Sequence, residues 1–158
     1  MADGEQRIAQ ITLDERTVVR RNADIEHERQ IAISDLLVDN SFCPVSNIEG
    51  PFHLHLSVTE NRLTLDIRDA SDEPLEQILL PLSPFQKIVK DYFMICGSYY
   101  TALRDASPSK IEAIDMGRRG VHNEGGEKLR ERLAERVEVD LNTARRLFTL
   151  LCVLHIRG

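Results

Sequence analysis

A chain of 158 residues with 42% hydrophobic and 29% charged residues suits one globular domain spanning 1–158 and leaves little material for a second core. Its net charge of −6 disfavours nonspecific binding to nucleic acid or to anionic membranes. No apolar run approaches the roughly 18 residues of a bilayer span, and no signal-peptide pattern opens the chain, so a cytoplasmic protein is expected.

The polar start Met1 to Gln6 is expected to be disordered. Arg7 to Leu13 alternates as a half-buried strand does, with Ala9, Ile11 and Leu13 on one side. From Asn22, a suitable N-cap, Ile25, Ala32, Ile33, Leu36 and Leu37 recur at helical spacing, and Pro44 stops simple continuation. The dense charges Arg16, Arg20, Arg21, Asp24, Glu26, His27 and Glu28 around this helix start suit a solvated face with local ion pairs.

Phe52 to Arg68 has the pattern of a hairpin. Phe52, Leu54, Leu56 and Val58 alternate with polar residues, Glu60-Asn61 forms a two-residue turn, and Leu63, Leu65 and Ile67 resume the apolar face. This register sets His55 opposite Asp66 and His53 opposite Arg68. Leu75 to Leu82 suits an edge strand, with Ile78, Leu80 and Leu82 inward. Ser83-Pro84-Phe85-Gln86 is written like a capping box, and the apolar stripe from Phe85 to Leu103 is broad enough for a central core helix.

Ser107-Pro108 opens a shorter helix expected to stop near Gly117, followed by a glycine-rich connection over 117–126. Leu129, Leu133 and Val137 mark another helix, and Asp140 caps a last one, whose run from Leu147 to Ile156 is apolar nearly all round and must be buried in this chain or a partner. The fold class is therefore α+β: an antiparallel three- or four-stranded sheet packed against helices, with a helical C-terminal half.

The segments LDERTVVRRNADIEHER, HLHLSVTENRL, LPLSPFQKIVKDYF, DMGRRGVHNEGGEKLRERL and TARRLFTLLCVLHIRG span nearly the whole chain. Through them it resembles uncharacterised protein family 0262 of bacteria. That resemblance implies no activity, ligand, cofactor or mechanism.

Chemistry is therefore sought in the residues. In the connection 117–126, glycines would let backbone amides approach an anion, and Arg118 and Arg119 can fork onto phosphate or carboxylate oxygens. His122, Asn123 and Glu124 complete the candidate ligand-binding set. The bland alternative has Gly117 ending one helix, Asn123 capping the next, and the arginines pairing with the protein's own carboxylates. On a strand, His53-x-His55 places two imidazoles on one face about 7 Å apart. Arg68 beside His53 opposes a cation, so no metal ligands and no cofactor are assigned. Residues 133–147 resemble a helix-turn-helix in which Arg145 and Arg146 would reach phosphates, yet Glu138 in the turn and the apolar second helix favour a core helical hairpin. Cys43, Cys96 and Cys152 have no CxxC spacing and suit reduced thiols, with Cys96 and Cys152 inert in apolar helices.

The expected role is a binding or regulatory protein holding an anionic metabolite or an acidic partner segment at 117–126. One alternative is a small enzyme acting on a phosphorylated or carboxylated metabolite, with His122 or Glu124 as acid-base group. Another is a structural subunit of a homo-oligomer.

Overall fold

The computed structural model describes residues 5–15 and 22–155. The expected disorder of Met1 to Gln6 falls mostly outside these residues, as do Arg16, Arg20, Arg21 and the end of the apolar run at Ile156. In chain order the elements are β1 (Ile8–Leu13), α1 (Ala23–Val38), β2 (Phe42–Pro44), β3 (Phe52–Thr59), β4 (Arg62–Arg68) and β5 (Pro74–Pro81). A single 3-10 turn (Ser83–Phe85) then leads into α2 (Gln86–Asp105), α3 (Pro108–Leu133), β6 (Val137–Val139) and α4 (Leu141–Leu154).

The main sheet has the order β1-β3-β4-β5. The β3–β4 hairpin keeps the register read from sequence, with His55 opposite Asp66 and His53 opposite Arg68. Glu60 and Asn61 both take positive φ, as a tight hairpin turn of right-handed twist requires. β5 continues the antiparallel pairing on β4, and Ile78, Leu80 and Leu82 are buried. The sheet is nevertheless mixed, because β1 runs parallel to β3. α1 lies between them in sequence, and a helical crossover is what lets two neighbouring strands run the same way.

The connection expected over 117–126 does not exist: these residues lie inside α3, and the two helices expected there are one. Two of its glycines have a packing cause. A Cβ on Gly125 would meet Phe148 Cε2 at 2.4 Å, and one on Gly126 would meet Arg145 Cγ at 2.6 Å, so their bare backbone lets α3 press against α4. Val137, expected in a helix, instead belongs to β6, which pairs antiparallel with β2. β6 thereby occupies the place of the helix-turn-helix turn.

Caps at Asn22, Ser107 and Asp140 form as expected, each side chain accepting a backbone N–H of the first turn. Ser83 does not cap; its hydroxyl accepts from Asn61 Nδ2 at 3.2 Å, and α2 begins only after the 3-10 turn. Nor is α2 the central core element, since Leu103 and Met94 stay exposed. That position belongs to α4, buried continuously from Leu147 to Leu154 within this chain. The leucines and isoleucines of the sheet's inner face join α4, Ile88 and Tyr92 in one core.

Candidate functional site

α1 presents Ile25, Glu28, Ala32 and Leu36 on its buried stripe. Glu28 is only 6% exposed, so the charged run around the start of α1 is not uniformly a solvated face. A carboxyl group removed from water needs partners, and the other helices supply them. Tyr100 donates its hydroxyl to Oε2 at 2.5 Å and Tyr92 donates to Oε1 at 3.3 Å, both from α2. Arg118 Nη1 of α3 lies 3.8 Å from Oε1. Cys96 Sγ is 4.0 Å from the same oxygen.

Around Glu28 the four helices leave a cleft of about 370 Å³. Its α3 wall carries Arg118, Arg119 and His122, its α4 wall Asn142, Arg145, Arg146 and Thr149, and its α2 wall Tyr99 and Tyr100. Four arginines thus face two lining carboxyl groups, Glu28 and Asp35, in a protein whose overall charge is −6. The arginines differ in how they are held. Arg118 donates through Nε and Nη2 to Asp115 Oδ1, at 3.1 and 2.9 Å, and stacks over the Tyr99 ring at 4.5 Å. Arg119 Nε pairs with the other Asp115 oxygen at 3.2 Å.

Arg145 and Arg146 have no carboxylate partner among the described residues. Arg145 Nη1 reaches the Asn142 side-chain oxygen at 3.3 Å, and Arg146 Nη1 donates to the Asp39 carbonyl at 3.1 Å. Arg145 Nε is buried without a hydrogen-bond partner. A buried guanidinium N–H left unpaired costs desolvation energy that an acceptor in the cleft would return.

His122 is buried beside this cluster, its ring edge-to-face with Tyr92 at 5.4 Å and its Nε2 3.9 Å from Glu28 Oε1. Burial pushes its pKa from the ordinary 6.5 down to about 4; Glu28 opposes the shift, while Arg118 and Arg145 reinforce it. The imidazole is therefore neutral at pH 7. Between 6.5 and about 4 the unfolded chain takes up a proton that the folded chain refuses, so stability rises with pH across that window and is lost as pH falls through it. Through this group the protein is expected to lose about 2 kcal/mol between pH 7 and pH 5. Urea unfolding of wild type and His122→Gln at both pH values checks this; equal losses in the two proteins would contradict it.

Burial raises the Tyr92 and Tyr100 phenols above their ordinary range and the Cys96 thiol to about 12, with Glu28 adding to each. Burial likewise raises the Cys152 thiol. Neither thiol is set up as a thiolate nucleophile.

Of the five residues expected from sequence, the structure brings Arg118, Arg119 and His122 together, whereas Asn123 and Glu124 are exposed and do not line the cleft. The contributors missed were Glu28, Tyr99, Tyr100, Arg145 and Arg146 as cleft-lining residues. The spacing of Ile25, Glu28, Ala32 and Leu36 could have flagged Glu28, because it sets that residue on the apolar stripe. The strand histidines lie elsewhere, on the sheet face opposite the buried leucines.

Residues 5–157 match the model of the Uncharacterised protein family (UPF0262). The chain is similar to a UPF0262 protein of Rhodospirillum rubrum, at 59% identity over 100% of both chains. It is also similar to one of Paramagnetospirillum magneticum, at 56% identity over 97% of this chain and 98% of that one. A third, of Azorhizobium caulinodans, is 59% identical over 96% of this chain and 95% of its own length. No solved structure matches.

Proposed function

Since the chain belongs to the uncharacterised family UPF0262, whose name assigns no activity, we propose from its cleft that it binds a small anionic metabolite, phosphorylated or carboxylated, between α1, α2, α3 and α4. The observation that carries this reading is the pair Arg145 and Arg146, cations without carboxylate partners among the described residues, facing a cleft in which Arg145 Nε is buried and unpaired. Arg119 adds a half-exposed guanidinium at the same wall. Guanidinium N–H groups match the oxygens of phosphate and carboxylate, and exclusion of water strengthens each contact.

Arg118 acts as a positioning residue, tied to Asp115 and Glu28. Asn123 and Glu124 drop out of the ligand set. Binding without turnover is the preferred reading because the cleft supplies anion-holding arginines and no assigned nucleophile, the Cys96 thiol beside Glu28 being held protonated. The enzyme alternative would rest its acid-base step on His122, neutral at pH 7 and close to Glu28. A cytoplasmic setting belongs to the same reading and is supported by the three free cysteines. No helix among the described residues is long and apolar enough to cross a membrane.

A thermal-shift screen with inorganic phosphate, phosphorylated metabolites and di- and tricarboxylates tests the proposal. A ligand at about 100 times its dissociation constant should add about 2.7 kcal/mol of stability. Arg145→Met and Arg146→Met keep much of the aliphatic stem while removing the charge. Each is expected to weaken binding about 10- to 100-fold with the apo melting temperature nearly unchanged. The proposal fails if no anion stabilises the protein, or if stabilisation persists undiminished in both variants.

A further inference from the structure

A second group of polar side chains converges on the outer face of the sheet, away from the arginine cleft. His53 and His55 project from β3 on the face opposite Leu54 and Leu56, with ring centroids 4.1 Å apart. Their shared partner is Asp72, in the connection from β4 to β5, rather than the cross-strand Asp66. Asp72 Oδ1 lies 3.0 Å from His53 Nδ1 and 3.0 Å from His55 Nε2. The donor atoms of all three residues fall within 4.8 Å of one another.

The surroundings hold these donors in place. The Asp69 side chain accepts the backbone N–H groups of Ser71 and Glu73, and Asp72 N–H donates to the Asp69 carbonyl, which fixes the turn that carries Asp72. Arg68 Nη1 holds Asp72 Oδ2 at 3.0 Å, turning Oδ1 toward the imidazoles. Thr12 Oγ1 lies 2.8 Å from His53 Nε2, where it can accept a hydrogen bond from Nε2–H and so favour the tautomer whose Nδ1 carries the lone pair. Outer hydrogen bonds of this kind orient the ligands of metal centres.

Arg68 does not make the site electropositive. Its Nε and Nη2 both donate to Asp66 Oδ2, at 3.1 and 2.8 Å, so one carboxylate already balances its charge. Asp66, Arg68 and Asp72 together leave one negative charge beside two imidazoles. Asp66 thus offsets the arginine that, read from the sequence, argues against a cation beside His53.

We propose that His53, His55 and Asp72 form a binding site for a divalent transition-metal ion of the zinc type. Two imidazole nitrogens and one carboxylate oxygen are the donor set such ions take, at about 2.0 to 2.2 Å each. Tetrahedral ligation at those lengths separates the donors by about 3.3 Å, a few tenths of an ångström from the spacing of Oδ1 to each imidazole nitrogen. Three protein ligands leave a coordination position for water, and a hollow of about 300 Å³ adjoins His53, lined also by Gln10 and Ala70.

The test uses full-length protein without an affinity tag, freed of metal and titrated with Zn2+ by calorimetry and with Co2+ by visible absorption. One equivalent of each is expected to bind. His53→Ala, His55→Ala and Asp72→Asn are each expected to weaken Zn2+ binding about tenfold or more and to remove the Co2+ bands, while Cys43→Ser leaves both unchanged. Thr12→Val, which keeps all three ligands, should weaken affinity by a smaller factor than the loss of any one ligand. Circular dichroism of the metal-free variants is expected to match wild type, because His53, His55 and Asp72 lie on the outer face of the sheet rather than in the core. Absence of saturable Zn2+ uptake overturns the proposal, as does uptake that all three ligand variants retain.

Discussion

Gly125→Ala is expected to destabilise the protein by about 2 to 3 kcal/mol, although alanine is the better helix former by about 1 kcal/mol. The added methyl would fall 2.4 to 2.6 Å from three atoms of the Phe148 ring. Phe148 is itself fully buried, edge-to-face with Tyr92 at 6.0 Å, so the ring has nowhere to swing. Relief must come from parting α3 and α4, which costs contact along their whole interface. Gly120, in the same helix, has nothing within 4 Å of the site of its Cβ. There the helix propensity acts alone, and Gly120→Ala should stabilise by about 0.5 to 1 kcal/mol. Equilibrium urea unfolding of the two variants gives opposite signs if α3 is one helix pressed on α4. Two stabilised proteins would contradict that packing.

The same glycines explain why the local sequence was misleading. Gly117, Gly120, Gly125 and Gly126 within ten residues read as punctuation, because isolated glycines weaken helices and glycine clusters mark turns. Here a tertiary demand outweighs that local cost: without side chains at Gly125 and Gly126, α3 approaches α4 closely enough for Phe148 and the Arg145 stem to pack on bare backbone. Nothing in the periodicity of α3 announces that its glycines meet Phe148 and Arg145 of the next helix. The β3–β4 register was legible for the converse reason: a one-residue slip would expose Leu54, Leu56, Leu63 and Leu65 together. The parallel β1–β3 pairing and the short β2–β6 pair join segments remote in sequence, and three residues such as Phe42–Pro44 carry too little pattern to recognise.

The candidate site was legible in the same uneven way. Arg118, Arg119 and His122 stood out as a local cluster, and the fold does bring them together, through one face of α3 rather than through a loop. Their neighbours Asn123 and Glu124 are exposed and do not line the cleft, Glu124 standing two residues and so about 200° round the helix from His122. In a helix-turn-helix Arg145 and Arg146 would contact phosphates, a motif that Glu138 and the apolar second helix already disfavour. The β6 strand stands where that motif needs its turn, and both arginines line the cleft between the helices instead. Asp72 could not be inferred from β-strand spacing, for it reaches His53 and His55 from a turn in which its own φ is 68°.

Glu28→Ala is expected to cost about 3 to 5 kcal/mol, the loss associated with breaking a buried charged cluster by removing one member. The alanine would leave the Tyr92 and Tyr100 hydroxyls without their acceptor and Arg118 with Asp115 as its only carboxylate partner among the described residues. Glu28→Gln separates the two parts of that loss. Its amide oxygen still accepts from a tyrosine, so hydrogen bonding is largely kept while the attraction to Arg118 is removed, and a cost of about 1 to 2 kcal/mol is expected. An adjacent carboxylate with a different environment supplies the control: Glu26, about 40% exposed and 3.6 Å from Arg29, should change stability by no more than about 0.5 kcal/mol when replaced by alanine. Chemical unfolding of the three variants at pH 7 decides the matter. If Glu28→Ala behaved like Glu26→Ala, Glu28 would not be the group around which the tyrosines and Arg118 are arranged. If it unfolds the protein while Glu28→Gln folds, the hydrogen bonds accepted by this side chain, rather than its charge, hold α1 against α2.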